Sequence, residues 1–283
     1  MPPRTFPDGR RARAAPAERC DAVLDRRSLV EREYRDDSHL AARQALYAYQ
    51  RPRHDLPGLA VAELRGVRGA VVDVGCGNGV FSARLRAERP DVSVLGLDLS
   101  AGMLASAAGR AAVADAQALP LADGVCGGAL AMHMLYHVPD IPRAITELRR
   151  VLAPDGVAVV STNSRRDKAE LARLWERAAG EVLGGAAGSG RPSFSGRFPL
   201  EEAAGLLGAE FAEVRTVGLS ATLTVRDPAP VMAHMASYET WSGALGVAAD
   251  EVLRRAERLV REGIEEKGAF EVSTRAGLLV CSG

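Results

Sequence analysis

Short apolar runs alternate with amphipathic segments along the middle of the chain. The apolar runs are of strand length and lie at positions 71–75, 92–98, 111–114, 127–132 and 156–162. The segments between them place apolar residues at helical spacing and lie at 79–88, 101–109, near 121 and at 140–152. Strands that alternate regularly with helices are typical of a parallel, doubly wound sheet that is covered on both faces. The pattern therefore predicts an α/β fold.

The pattern changes on both sides of this region. Residues 1–20 are basic, rich in proline and glycine and poor in apolar residues, so we expect a flexible tail there. Residues 21–66 carry apolar and aromatic residues at helical spacing and are predicted to form one or two helices. Beyond residue 163 we expect helices at 167–183, 201–207, 228–243 and 249–266, a glycine-rich hinge or mobile loop at 184–190, and strands at 214–225 and 270–281. The late strands are expected to extend the sheet, and the helices at about 165–210 and 228–267 to form a cap.

The charge balance and the cysteine content argue against several classes of protein. Lysine plus arginine and aspartate plus glutamate both number 36, so no net field attracts the chain to nucleic acid or to an anionic membrane surface. The four cysteines are scattered without the spacing of a metal site, which favours a reducing cytoplasm and predicts no bound metal. No run of about 18 apolar residues is present, so no transmembrane segment is expected.

A glycine-spaced turn follows the first predicted strand. It contains Gly75, Gly77 and Gly79, and glycine is used where the backbone needs a positive φ or lies directly against a ligand. Asp98 ends the second predicted strand, where a carboxylate can accept both hydroxyls of a ribose. Asp73 lies two residues before the turn. Its negative charge would be repelled by a diphosphate but attracted by an ammonium group. The turn therefore indicates a nucleoside cofactor other than a dinucleotide.

Several segments resemble, in order along the chain, the motifs of one enzyme family. Residues 72–79 resemble the first motif of class I S-adenosylmethionine-dependent methyltransferases, of the small-molecule type found in ubiquinone and menaquinone biosynthesis. The further segments resemble the second motif, the third motif, and the stretches after the fourth and before the fifth strand, and they lie at 95–104, 114–124, 134–140 and 147–156. The resemblance covers about residues 70–163 in the family's order and spacing.

This resemblance implies a Rossmann-like, seven-stranded mixed sheet within residues 67–283, with residues 21–66 as an N-terminal helical lid. It also implies S-adenosylmethionine as the cofactor. In that family the residue at the position of Asp98 binds the ribose hydroxyls, and the residue at the position of Asp115, together with the next backbone N–H, binds the adenine edge. The residues expected to bind the cofactor are Tyr34, Asp73, Gly75, Cys76, Gly77, Gly79, Asp98, Leu99, Met103, Asp115, Ala116, Gln117 and Met132.

Two histidines after the fourth strand are candidates for proton removal. His133 and His137 lie at the carboxyl edge of the predicted sheet, where doubly wound folds bind ligands, and histidine titrates near neutral pH. The alternatives are that His137 only bonds the backbone at a loop corner and that His133 only lines the cofactor pocket. The residues expected to contact the acceptor are Tyr136, His234, Tyr238 and Trp241, although helix packing also explains such a set.

The expected function is transfer of a methyl group from S-adenosylmethionine to an O, N or C atom of a small metabolite, in secondary metabolism. The neutral charge argues against a nucleic-acid acceptor, and a cytoplasmic enzyme that can form a homodimer is expected. Three alternatives remain open. One is a family member that catalyses a reaction other than methyl transfer, such as a cyclase, decarboxylase or hydroxylase. The others are a methyltransferase for peptide or carrier-bound substrates, and a binding module without catalysis.

Overall fold

The computed structural model describes residues 30–31, 34–184, 194–238 and 249–283. The expected tail at 1–20, most of the expected loop at 184–190 and Trp241 lie outside the described residues. The described strands are β1 (Gln50–Arg51), β2 (Ala70–Val74), β3 (Ser93–Asp98), β4 (Ala111–Val113), β5 (Cys126–Met132), β6 (Leu152–Asn163), β7 (Glu213–Val225) and β8 (Phe270–Ser282). The described α-helices are α1 (Ser38–Ala45), α2 (Leu56–Glu63), α3 (Val80–Glu88), α4 (Ala101–Leu104), α5 (Ile141–Val151), α6 (Ala169–Leu183), α7 (Leu200–Leu207), α8 (Pro228–Ala236) and α9 (Ala249–Lys267).

These strands form one mixed sheet in the order β1-β7-β8-β6-β5-β2-β3-β4. The pairs β2–β3, β2–β5, β3–β4 and β5–β6 are parallel, so their carboxyl ends meet at one edge. Strand β8 runs antiparallel to both β6 and β7. The predicted doubly wound α/β fold is confirmed, and the change of strand order between β2 and β5 lies where such sheets bind ligands.

Some of the described helices begin at a side-chain cap, and α5 also buries one apolar stripe. In α5, the Asp140 carboxylate accepts a hydrogen bond from the Arg143 N–H at 3.1 Å, which satisfies a donor that the first turn leaves open. The buried positions of α5 follow helical spacing and are Ile141, Ala144, Ile145, Leu148 and Val151. Ser100 caps α4 in the same way, by accepting from the Met103 N–H at 3.3 Å.

Three apolar clusters stabilise the molecule. Two lie on opposite faces of the sheet, one packed around α5 and α7 and the other around α2 and α3. The third joins α6, α8 and α9 to the far ends of β7 and β8, with Trp175, Val231 and Val252 among its buried members. These three helices therefore share a core of their own beside the carboxyl edge of the sheet. No described helix is long and apolar enough to cross a membrane.

Several expected elements differ from the structure. The helix expected at 101–109 spans only Ala101–Leu104. The described sheet has eight strands rather than seven, because Gln50 and Arg51 pair with Leu223 and Thr222 of β7. No helix forms near Leu121, because the Arg150 guanidinium binds the Leu119 and Leu121 carbonyls at 3.1 and 2.8 Å and holds that segment in turns. The Arg150 side chain of α5 thus donates hydrogen bonds to carbonyl groups that would otherwise accept from backbone N–H groups within a helix.

Candidate active site

A cavity of about 980 Å³ opens at the carboxyl edge of the sheet. Its floor is formed by the residues that follow β2, β3, β5 and β6, and its walls by α1, the 3₁₀ turn after it and α8. Of the predicted site residues, those that line it are Tyr34, Gly75, Cys76, Gly77, Asp98, Leu99, Met103, Asp115, Ala116, Gln117, Met132, His133, Tyr136, His137, His234 and Tyr238. The topology therefore gathers most of the predicted residues around one space.

The glycine turn at one end of the cavity is rigid. Gly75 and Gly77 adopt φ of +67° and +55°, and a Cβ at Gly75 would lie 2.7 Å from the Met134 Cβ. A side chain is excluded there both by the conformation and by the space. The Gly75 and Cys76 N–H groups donate to the Leu97 carbonyl at 2.7 and 3.0 Å. These two N–H groups are therefore occupied within the protein.

Asp98 is held at the end of β3 by backbone donors. Its Oδ2 accepts from the Gly77 N–H at 2.8 Å and its Oδ1 from the Ser100 N–H at 2.9 Å. Burial raises the pKa of this carboxyl, while these backbone N–H groups act in the opposite direction. Each oxygen keeps a further lone pair, and the residue lines the cavity. The geometry suits a carboxylate that accepts vicinal hydroxyl groups.

The loop after β4 supplies a second fixed polar group. The Asp115 Oδ1 accepts from the Gln117 N–H at 2.9 Å and from its side-chain Nε2 at 3.0 Å, and the Gln117 Oε1 accepts from the Asp140 N–H at 3.1 Å. Leu99, Met103 and Met132 add apolar surface to the same end of the cavity. A polar edge beside apolar walls is the chemistry that a flat, heteroaromatic base requires.

Two predicted cofactor residues, Asp73 and Gly79, do not line the cavity. The Asp73 carboxyl is 1% exposed and lies beneath the turn, where its Oδ2 accepts from the Ser82 hydroxyl of α3 at 2.7 Å. Its Oδ1 has no hydrogen-bond partner among the described residues, and burial raises its pKa to about 6. The expected direct contact of Asp73 with an ammonium therefore does not fit the structure.

At the other end of the cavity, His137 is engaged by the N-terminal segment. The Tyr34 hydroxyl lies 2.8 Å from the His137 Nε2, and the Arg43 Nη1 donates to the same hydroxyl at 3.2 Å. The His137 Nε2 is therefore engaged with a hydroxyl that Arg43 also holds. Burial and the nearby Arg43 lower the pKa of His137 to about 3, so the ring is neutral at pH 7. The Tyr34 hydroxyl therefore contacts His137, and Tyr34 also lines the cavity.

His133 is differently placed. Its backbone adopts φ of +53°, and its N–H donates to the Ser161 carbonyl at 3.1 Å and hydroxyl at 3.0 Å. The ring Nδ1 is buried and has no hydrogen-bond partner in the described part of the chain. Burial, together with the Lys168 charge, lowers the pKa of His133 to about 4. Of the two rings, that of His133 makes no hydrogen bond with a described residue, whereas the His137 Nε2 is bonded to Tyr34.

Sequence reasoning missed several polar residues that line this second end of the cavity. Lys168 Nζ lies 2.5 Å from the Asp167 Oδ2 and donates to the Tyr47 hydroxyl at 2.8 Å, and the two charged side chains are only 11% and 7% exposed. Asn163, at the end of β6, also lines the cavity. We call His133, Asn163, Asp167, Lys168 and Tyr47 together the Lys168 subsite. The sequence did contain one signal for Lys168. It is one of only two lysines in a chain whose other Lys and Arg positions are all arginine.

Arg43, also missed, fixes the wall opposite the sheet. Its guanidinium donates to the Ser237 hydroxyl at 3.1 Å and carbonyl at 2.7 Å, and lies 4.2 Å from the centre of the Tyr238 ring. It thereby joins the N-terminal segment to the end of α8. The described residues contain no group of three or more metal-ligating side chains.

Comparison with known proteins agrees with the fold and with the cofactor end. Residues 72–160 match the family described as a methyltransferase domain. The malonyl-[acyl-carrier protein] O-methyltransferase of Pectobacterium atrosepticum is 38% identical over 118 residues, which are 39% of this chain and 45% of that protein. The trans-aconitate 2-methyltransferase of Methylobacterium nodulans is 36% identical over 119 residues, 39% of this chain and 44% of that protein. The chain therefore spans less than half the length of these curated relatives.

Solved structures resemble this chain over most of its length. A Bacillus subtilis protein named YcgJ covers 80% of this chain and 96% of its own, with a TM-score of 0.52 and 17% identity. An Anabaena variabilis protein, described as a methyltransferase from an antibiotic biosynthesis pathway, covers 80% and 97% with a TM-score of 0.56 and 16% identity. These likenesses concern the fold. The family match covers residues 72–160, and the fold agrees with a methyltransferase domain there.

Proposed function

We propose that this protein transfers a methyl group from S-adenosylmethionine to a small-molecule acceptor bound at the Lys168 subsite end of the cavity. The observation that carries the proposal is the division of one cavity into two ends. One end is fixed by backbone hydrogen bonds around Asp98 and Asp115, and the other is lined by buried polar and aromatic side chains. Such a space holds a nucleoside donor and a second molecule side by side.

The cofactor end fits S-adenosylmethionine in several respects. Asp98 would hold the ribose hydroxyls, and Asp115 with Gln117 would face the adenine edge. Leu99, Met103 and Met132 would enclose the base. Gly75 keeps the turn in this shape, because a Cβ there would collide with Met134. When bound, the cofactor supplies an electrophilic methyl group, which the acceptor atom takes up as the sulfonium becomes a neutral thioether.

The chain's own residues would position the acceptor and receive its proton. Burial of the acceptor end excludes water and holds two reactants in one orientation, which is the main catalytic contribution expected for a transfer of this kind. Where the acceptor loses a proton, His133 is the better base, since the His137 Nε2 is bonded to Tyr34. His133 is a weak base with a pKa of about 4, but an acceptor oxygen becomes strongly acidic as it is alkylated.

A carrier-bound acceptor is a second candidate. The Pectobacterium atrosepticum relative is named for a malonyl group on an acyl-carrier protein, whereas the Methylobacterium nodulans relative is named for trans-aconitate, a free small molecule. The residues of the Lys168 subsite other than His133 lie outside the matched segment 72–160. The relatives therefore support the methyl donor more strongly than either acceptor.

Label transfer from radioactive S-adenosylmethionine tests the proposal. Wild-type protein should transfer label to free small molecules without an added carrier protein. His133→Asn should lower turnover while leaving affinity for S-adenosylhomocysteine within about twofold of wild type. Asparagine tolerates the left-handed backbone at this position, so the variant should fold. Label that reaches only carrier-bound acceptors would favour the second candidate. Cofactor consumption without label in any product would favour a reaction other than methyl transfer.

A further inference from the structure

Two buried polar atoms at the ends of neighbouring strands lack partners within the described part of the chain. They are the Asn163 Oδ1 at the end of β6 and the His133 Nδ1 just after β5. Strands β5 and β6 are parallel and adjacent, so both residues leave the sheet at the same edge and both line the cavity. Buried polar atoms are nearly always bonded, and an exception calls for an explanation such as a catalytic role or a bound water, ion or ligand.

Lys168 adds a donor to the same place. Its ammonium uses one N–H on the Asp167 carboxylate and one on the Tyr47 hydroxyl, and no described residue accepts the third. Among the described residues, Lys168 and His133 are also the two non-glycine residues with positive φ, both at +53°. Residues held in this sparsely populated conformation concentrate at binding sites, where surrounding contacts enforce it. The lysine side chain is thus fixed at the cavity wall rather than free to swing.

The charge of the Lys168 subsite is already balanced. The Asp167–Lys168 pair is buried and neutral as a whole. Its surroundings favour neutral forms, since burial lowers the pKa of His133 and raises the pKa of both Tyr47 and Tyr136. A carboxylate placed here would lack a countercharge within the subsite, and an ammonium would face the Lys168 charge. A neutral polar group is the one that fits.

We propose that the Lys168 subsite binds a neutral hydroxyl group of the acceptor. A hydroxyl oxygen can accept from the Lys168 Nζ and from the Asn163 amide N–H, while its proton is donated to the His133 Nδ1. An alcohol, phenol or enol has this combination of one donor and two acceptor lone pairs. The inference rests on the proposed function and narrows it to transfer onto oxygen of a neutral acceptor, in contrast to the acids for which the two curated relatives are named.

Matched fragments test the chemistry of the subsite. Wild-type protein is titrated with 4-ethylphenol, 4-ethylbenzoate and 4-ethylbenzylamine, with and without saturating S-adenosylhomocysteine, and binding is followed by ligand-detected NMR. We expect 4-ethylphenol to bind at least about tenfold more tightly than the charged fragments, because each of those leaves a charge or a polar atom without a partner. Tighter binding of the benzoate or the benzylamine overturns the proposal, as does the absence of binding by all three.

Asn163→Ala separates a ligand-binding role from a structural one. The Asn163 side chain makes no hydrogen bond among the described residues, so the variant should unfold at the same urea concentration as wild type or at a higher one. It should nevertheless bind 4-ethylphenol about threefold to tenfold more weakly, with S-adenosylhomocysteine affinity unchanged. Thr216→Ala, at an exposed position of β7, is the control and should change neither quantity.

The subsite proposal and the proposed function can fail separately. Unchanged 4-ethylphenol affinity in both Asn163→Ala and His133→Asn overturns the subsite while leaving the function intact. A wild-type protein that binds 4-ethylphenol as predicted but does not bind S-adenosylhomocysteine overturns the function and leaves the hydroxyl subsite.

Discussion

The two ends of the cavity are built by different means. At the cofactor end, the groups that face the ligand are fixed by short backbone hydrogen bonds within one continuous region, as with Asp98 and the N–H groups of Gly77 and Ser100. At the acceptor end, side chains from distant segments meet, as with Tyr47 and Lys168. Substitutions can therefore reshape the acceptor end without disturbing the cofactor end. One fold can keep its methyl donor while its acceptor changes.

The buried ion pair gives the largest expected effect on the acceptor end. Lys168→Met leaves the Asp167 carboxylate buried without its cation, which should lower the free energy of unfolding by about 3–5 kcal/mol. Urea denaturation measures the loss. Lys267→Met alters the other lysine, which is exposed at the end of α9, and should change stability by less than about 0.5 kcal/mol. Equal stability of the two variants would show that the pair is not buried as described.

Asp73 tests whether the cofactor end depends on a charge beneath it. Its folded pKa of about 6 lies above the ordinary value of 3.8, so the folded state binds the proton more tightly and stability falls as pH rises from about 4 to 6. Asp73→Asn removes this loss and should stabilise the protein by about 3 kcal/mol at pH 8 and by about half as much at pH 5. Urea denaturation at the two pH values checks the difference.

The same variant tests whether the Asp73 side chain contacts the cofactor. Because the side chain lies under the turn rather than in the cavity, Asp73→Asn should leave S-adenosylhomocysteine affinity within about twofold of wild type. A strong loss of affinity would instead restore the direct contact with the cofactor that its sequence position predicted.

A glycine in α4 tests the contact between the N-terminal segment and the cofactor end. A Cβ at Gly102 would lie 1.8 Å from the Arg35 carbonyl, next to the bond of 2.6 Å from the Ser100 hydroxyl to the Tyr34 carbonyl. Gly102→Ala should therefore displace residues 34–37 and cost about 1–3 kcal/mol of stability in urea denaturation. Gly205→Ala is the control, since a Cβ there meets nothing within 4 Å and should be neutral or slightly stabilising. Equal stability of the two variants would mean that the segment does not pack on α4.

The cofactor end was largely predictable from the sequence because its signals are local. The glycine spacing, the Ser100 cap and the position of Asp98 each depend on a few neighbouring residues, and the structure places Gly75, Gly77 and Asp98 on the cavity. The sequence predictions that failed, and the residues that were missed, also have a physical explanation. The helix expected near Leu121 is absent because Arg150, distant in sequence, takes its carbonyl groups. Asn163 and Lys168 carry no motif, and only the packing of β6, β8 and the N-terminal segment brings them to the cavity.

Calorimetric titration with S-adenosylhomocysteine tests the central claim most directly, namely that the donor and the acceptor occupy separately built ends of one cavity. Wild-type protein should bind the ligand. Asp98→Ala should weaken binding by about 1–3 kcal/mol through loss of a charge-assisted hydrogen bond, and Asn163→Ala should bind as wild type does. No binding by the wild type, or equal losses in the two variants, would contradict the account.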